Sequence, residues 1–296
     1  MSPKATSKLP TRGRRVLSWV LAFPDLALAA LFFLIPLGVL VSYSFAKQDS
    51  LTQDVKIIGT LRAYRLLFSD LYRPVFQRSA VLSLSCVVLC ALIAIPASLA
   101  ISRFSPRNQR RVLTAVLFPS FVSFTVRIYA WVGLLGNEGP LAGVTNRLVG
   151  HKIVLLYRPG SLLIGMVTAY APLFVLPVVS SLQRIDRGIL EAGADAGGSP
   201  GRVTRTITLP LAAPGIVTGA MVVSILALGE FLIPTVLGGG KVLLLGTLLA
   251  EQAGGKNKPL GGAIASTLIA LMLIVAIVGT LVRRALARRN PEPMRA

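Results

Sequence analysis

The sequence is short of charge, and shortest of negative charge. Only 14% of its 296 residues are charged, against about 25% in soluble domains. Acids number 11 against 31 lysines and arginines. The single histidine, His151, has no second metal ligand nearby. The only cysteines, Cys86 and Cys90, lie four apart in an apolar run. That spacing puts both on one helical face, a packing position and not a disulfide framework or metal site. No apolar run holds a Ser-His, paired-Asp or His-rich constellation, which argues against an intramembrane enzyme. A phosphate-cradling loop is missing too, since it needs G-x-x-x-x-G-K-[ST]. GGGKV at 238–242 and GGKNK at 254–258 lack both the upstream glycine and the following hydroxyl residue. The sequence therefore offers no catalytic residue, no cofactor site and no metal site, and ATP hydrolysis is not expected on this chain.

What is present is apolar. Hydrophobic residues make up 54% of the chain and the mean hydropathy is +0.73. A membrane-crossing helix needs roughly 20 mostly apolar residues. Six stretches qualify: 26–45, 79–102, 112–135, 161–180, 211–237 and 260–282. The first is expected to stay as a signal anchor, because its apolar core is long and no small-residue cleavage site follows it. The fold class is therefore all-α integral membrane, a single domain of six transmembrane helices over 1–296. The net charge of +20 could signal nucleic acid, but the basic residues bracket apolar runs and are not interleaved with aromatics. They read as membrane topology. With both termini cytoplasmic, 18 basic residues fall in inside segments and 12 in outside ones. Residues 103–111, with four arginines and no acid, carry the clearest bias. In the longest outside segment, 46–78, IGTLRAYRLLFSDLYRP reads as a short amphipathic helix at the outer surface.

One polar segment interrupts the apolar pattern. The inside loop between the fourth and fifth spans, 181–210, contains ILEAGADAGGSPGRVTRTITLP. Arg187, Glu191 and Asp195 are spaced to form one charged stripe on a helix, with Ile185, Ile189 and Ala192 on another face. Gly197 and Gly198 then end that helix, as glycine does where the chain must turn left-handed. Ser199 caps a second short helix that opens with Pro200. Arg202 and Arg205 face out from it, and Pro210 and Pro214 mark entry into the fifth span.

Glu191-Ala192-Gly193, three residues, Gly197, nine residues, then Ile207-Thr208-Leu209-Pro210 resembles the E-A-A-x3-G-x9-I-x-L-P loop of binding-protein-dependent ABC importer permeases. Six of seven fixed positions match, and Gly193 departs where the family has alanine. Glycine costs roughly 1 kcal/mol inside a helix, so a looser first loop helix is expected. The resemblance implies a type I ABC importer permease (MetI-like) fold in a bacterial inner membrane. It also implies that this loop docks on a separate cytoplasmic ATP-binding subunit. Glu191 would meet a basic group there, Gly197 would supply the bend, and Ala192 and Gly193 would allow close packing. Asp195, Ile207, Leu209 and Pro210 complete the coupling set. An external substrate-binding protein and a second homologous permease, favouring a heterodimer, are further implied partners, beside the membrane lipid.

SFTVRIYAWVGLLGNEGPL at 123–141 and LGEFLIPTVLGGG at 228–240 resemble spans of the spermidine/putrescine-type permeases. That implies a polyamine substrate, with permeases for other small solutes as the alternative. The residues themselves point to the same stretches, because ionisable groups inside a span face a cavity or a partner. A 1.5 Å rise per residue puts Arg127 about 22 Å and Glu230 about 28 Å into their spans, at similar depth. Glu230, with Tyr129, Trp131 and Arg127, could line a polar pathway in which the carboxylate and the aromatic faces favour a cation. Alternatively Arg127 and Glu230 pair with each other or snorkel to the interface. Asp25, at the start of the first span, reads as a helix N-terminal acid. An ATP-independent carrier would be expected to show two similar halves, which are not seen, and a channel would not need the docking loop.

Overall fold

A computed structural model describes residues 11–48, 54–149, 154–252 and 257–289. His151 lies outside the described residues, as does the side chain of Asp25. Helix α1 (Thr11–Ser44) leads into a two-stranded antiparallel hairpin, β1 (Ala46–Gln48) and β2 (Val55–Ile57). Then follow α2 (Arg62–Leu67), α3 (Arg73–Ser102), α4 (Pro106–Leu117), α5 (Phe124–Leu135) and α6 (Pro140–Val149). The second half comprises α7 (Pro159–Leu182), α8 (Arg187–Asp195), α9 (Pro200–Val203) and α10 (Leu209–Leu228). It closes with α11 (Leu232–Leu237), α12 (Leu245–Glu251) and α13 (Lys258–Arg289).

Among the described residues, four helical segments are long and apolar enough to cross a membrane: α3, α7, the run Pro200–Leu228 and α13. The bent pair formed by α4 and α5 with their flanking turns would make a fifth. In α1 the described apolar stretch is Ala30–Ser44.

Helix α7 is the centre of the bundle. It packs along α3 on one side and α10 on the other. Phe174, Leu162, Met166 and Val178 of α7 are fully buried against Cys86 and Cys90 of α3 and Val223 of α10. The two thiols face each other with Sγ atoms 4.0 Å apart inside this core, the packing role their spacing indicates. Lipid tails are as apolar as leucine, so such helices are held by close packing and interhelical hydrogen bonds. At Gly215 of α10 an added Cβ would sit 2.4 Å from the carbonyl oxygen of Pro177 in α7. Only glycine lets these two backbones approach so closely. A second cluster joins α2, α12 and α13 through Leu67, Leu245, Leu248 and Ile264. The segment 58–74 holds the expected short amphipathic helix, α2, with Arg62, Arg65 and Leu66 exposed and its other face turned to the bundle. Ala63 and Leu67 are buried against α13.

Two expected spans are broken. The stretch 112–135 is not one helix: it bends by 85° between α4 and α5. Pro119 sits in the single 3-10 turn Phe118–Phe121, and Val122 and Ser123 are extended. Proline has no N–H and its ring collides with the carbonyl four residues back, so α4 cannot run on. The stretch 211–237 is likewise interrupted at residues 229–231. Pro234 rules out helical continuity with the carbonyl of Glu230 for the same reason. The depths read from straight helices for Arg127 and Glu230 therefore do not hold.

Candidate functional site

The loop between α7 and α10 forms two joined pieces at one end of the bundle. Asp186 caps α8, its carboxylate accepting the Gly188 N–H at 3.1 Å. At the other end Gly197 has φ +80°, the left-handed conformation expected of it. The Gly198 N–H donates to the Gly193 carbonyl at 3.2 Å and the Gly197 N–H to that of Ala194 at 2.9 Å. These two bonds close a Schellman turn, which satisfies carbonyls the helix end leaves open. Ser199 then caps α9, its hydroxyl accepting the Arg202 N–H at 3.4 Å.

The second loop helix is not separate from the span. After α9 the chain passes through one π-helical turn, Thr204–Thr208, and continues into α10. Pro210 cannot take part in a regular α ladder at this point, and a wider turn accommodates it. Thr204 and Thr206 donate their hydroxyls to the carbonyls of Pro200 and Arg202, at 2.8 and 2.7 Å. The loop is therefore a free-standing helix, α8, folded back on the root of a spanning helix.

The residues expected to form the docking surface divide into two sets. Glu191, Ala192 and Asp195 are exposed on α8, and Gly197 is exposed at the bend. Gly193 turns inward: a Cβ there would lie 2.6 Å from Cδ1 of Ile207. The glycine at this position therefore lets α8 and the π turn approach closely. Ile207 and Leu209 are half-buried supports, while Pro210 is exposed. Ala192 lies outward, so the inward face of α8 consists of Ile189, Leu190 and Gly193. Glu191 borders a groove of about 500 Å³ together with Arg103 at the end of α3 and Arg187. Among the described residues it forms no ion pair with either arginine. Gln183 fastens the base of the loop, donating to Gln109 of α4 at 3.0 Å. Gln109 in turn donates to the carbonyls of Ser102 and Phe104, both at 3.0 Å. The basic turn 103–105 and the α8 loop are thereby linked.

The second group lies at the α10–α11 break. Glu230 is only 8% exposed. One carboxylate oxygen accepts the N–H groups of Leu232 and Ile233, at 2.8 and 3.1 Å, and so opens α11. The other accepts the hydroxyl of Tyr170 in α7. Arg127 does not pair with Glu230, which removes that alternative. Its guanidinium lies over the Phe124 ring, 5.5 Å from the centroid, and its Nε is buried without a hydrogen bond. Trp131 packs on the main core, and Tyr129, two residues back on α5, is 59% exposed. The four residues therefore do not line one surface. Tyr170 escaped the sequence reading, although a lone phenol in an apolar run signals a buried partner.

The sequence matches the family described as binding-protein-dependent transport system inner membrane component over residues 13–290. The chain belongs to this family. The spermidine/putrescine transport system permease protein PotB of Haemophilus influenzae is 30% identical over 250 residues, covering 83% of this chain and 87% of that one. The protein of the same name from Escherichia coli K12 is 28% identical over 251 residues, 84% and 91% of the two chains. A crystal structure of a bacterial alginate ABC transporter, in complex with an alginate pentasaccharide-bound periplasmic protein, contains a chain with the same fold. It superposes with a TM-score of 0.73 over 94% of this permease and 96% of its own length, at 17% identity. The permease thus has the fold of known ABC importer membrane subunits, and its helices serve transport.

Proposed function

We propose that this permease carries a polyamine such as spermidine or putrescine into the cytoplasm, driven by ATP hydrolysis on a separate subunit. The observation that carries the reading is the likeness to the spermidine/putrescine permease over 83% of the chain. It runs through the stretches that hold the coupling loop and Glu230. We further propose six spans with both termini cytoplasmic. The start of α13 at Gly262 lies against the end of α1 at Leu40–Ser44, so the two helices run antiparallel, and the end of α13 shares a groove with Asp186 and Ile189 at the start of α8, which supports this reading. An external binding protein would deliver the solute, and a second, similar permease would complete the pathway.

In this reading α8 docks in a cleft of the ATPase subunit. Glu191 offers an unpaired carboxylate to a basic group there, and Ala192, Asp195 and Gly197 form the rest of the outer surface. Gly193, Ile207 and Leu209 hold α8 against the root of α10, and Pro210 sets the π turn. Movement of the ATPase would then reach α10 through the packing of α8 at Gly193 on Ile207 of the π turn, which is continuous with α10. A packed element with two discrete arrangements is what transmits such a movement. At the far end of α10, Glu230 acts as a strut between α10, α11 and α7. Of the pathway candidates Tyr129 is the accessible one, and its ring face suits a cation. Arg127 and Trp131 support α5 from behind.

The test is substrate uptake by the complex of two permeases and ATPase in proteoliposomes, fed by the binding protein. A panel of polyamines, amino acids and sugars should show ATP-dependent uptake of polyamine only. Uptake of another solute class with no polyamine transport would refute the substrate, leaving the importer reading in place.

A further inference from the structure

A cavity lies beside the coupling loop, lined by residues of α7, α10 and α13. Helices α7 and α13 each pack along α10 but make little contact with one another. They leave a groove over the first half of α10 with a volume of about 570 Å³. Leu211 and Pro214 of α10 and Pro177 of α7 give it apolar lining, with the hydroxyls of Ser180, Ser181 and Thr218 among them. Its mouth carries three arginines, Arg184 from the end of α7 with Arg283 and Arg284 from the end of α13. One acid, Asp186, lies there too, and its carboxylate already caps α8. Three positive side chains against one negative leave a formal +2 at the mouth.

We propose that this groove binds an anionic phospholipid of the inner leaflet, its phosphate held by Arg283 and Arg284 and one acyl chain lying along α10. A basic mouth over a trough with apolar lining between helices, at headgroup depth, matches the two halves of such a molecule. The same charge opposes a polyamine, so the groove is not an exit route for that substrate. Ile185 and Ile189 also line it. An occupied groove would therefore brace the start of α8, and lipid composition would set how firmly the coupling helix is held. The inference rests on the cytoplasmic orientation proposed above. Labelling of Ala287→Cys by a membrane-impermeant thiol reagent, from the cytoplasmic side only, checks that orientation by itself.

The experiment purifies the complex with its ATPase from vesicles of equal phosphatidylglycerol and phosphatidylcholine. Native mass spectrometry then counts the lipid retained. The wild type should retain phosphatidylglycerol selectively. R283Q/R284Q should lower that retention about tenfold or more, while R283K/R284K keeps most of it and both variants still hold the ATPase. Equal retention of the two lipids by the wild type would overturn the proposal, as would unchanged retention in R283Q/R284Q. Loss of the ATPase with lipid unchanged would assign the mouth to a protein partner instead. Displacement of the lipid by millimolar inorganic phosphate would assign it to a soluble anion.

Discussion

Removing the Tyr170 hydroxyl is the sharpest test of how the far end of α10 is built. Tyr170 is 6% exposed and Glu230 8%, so neither can exchange its partner for bulk water. Tyr170→Phe deletes one donor and leaves the ring in place. Hydrogen bonds to a charged group contribute about 1.5–3 kcal/mol in water-soluble proteins, whereas interhelical ones in membranes average about 0.6. The carboxylate here keeps two backbone donors, so the loss should fall between these, about 1–2 kcal/mol. Glu230→Ala is worse: it strands the Tyr170 hydroxyl and the N–H groups of Leu232 and Ile233 together, an expected loss of about 3–5 kcal/mol. Glu230→Gln keeps an acceptor for both N–H groups and a donor for the phenol oxygen, and should cost under about 1 kcal/mol. Thermal unfolding of the purified complex, followed by loss of monodisperse protein, ranks the three. The expected order of damage is Glu230→Ala, Tyr170→Phe, Glu230→Gln. If Tyr170→Phe melts with the wild type, or Glu230→Gln falls as far as Glu230→Ala, the strut is wrong.

Other predictions concern the coupling end. Gly215→Ala would drive a methyl into the Pro177 carbonyl, a backbone atom that cannot rotate away, so the variant should expel α10 from α7 and fail to reach the membrane in folded form, as judged by fluorescence size-exclusion profiles. Gly193→Ala meets only the mobile tip of Ile207. Its helix-propensity gain offsets the crowding, and its melting point should stay within a few degrees of wild type. Gly197→Ala must hold φ +80° with a side chain and should cost about 1–2 kcal/mol, loosening α8 and lowering ATPase co-purification.

Much of the coupling loop was readable because its signals are local. A serine before proline, two glycines after a charged stripe and a helix-breaking spacing each dictate a backbone state within four residues. Ser199 and Gly197 therefore stand where the sequence puts them. The breaks in the third and fifth spans have local causes in Pro119 and Pro234, but the apolar runs around them read as continuous spans. Hydropathy reports that a segment avoids water, and it is blind to whether the segment is straight. The inward face of α8 was missed at Ala192 and Gly193 because the direction of packing comes from the π turn, which no residue of α8 encodes. Tyr170 and Glu230 are 60 residues apart, and a bond at that separation has no local signature at all.

The central claim is that α8 couples this chain to a separate ATPase. It is tested most directly by spermidine uptake into proteoliposomes holding the complex with its ATPase, comparing wild type with Glu191→Ala. The account predicts ATP-dependent uptake in the wild type, abolished when the ATPase is left out, and uptake lost or uncoupled from hydrolysis in Glu191→Ala. Uptake that continues without the ATPase, or coupled transport unchanged in Glu191→Ala, would contradict it.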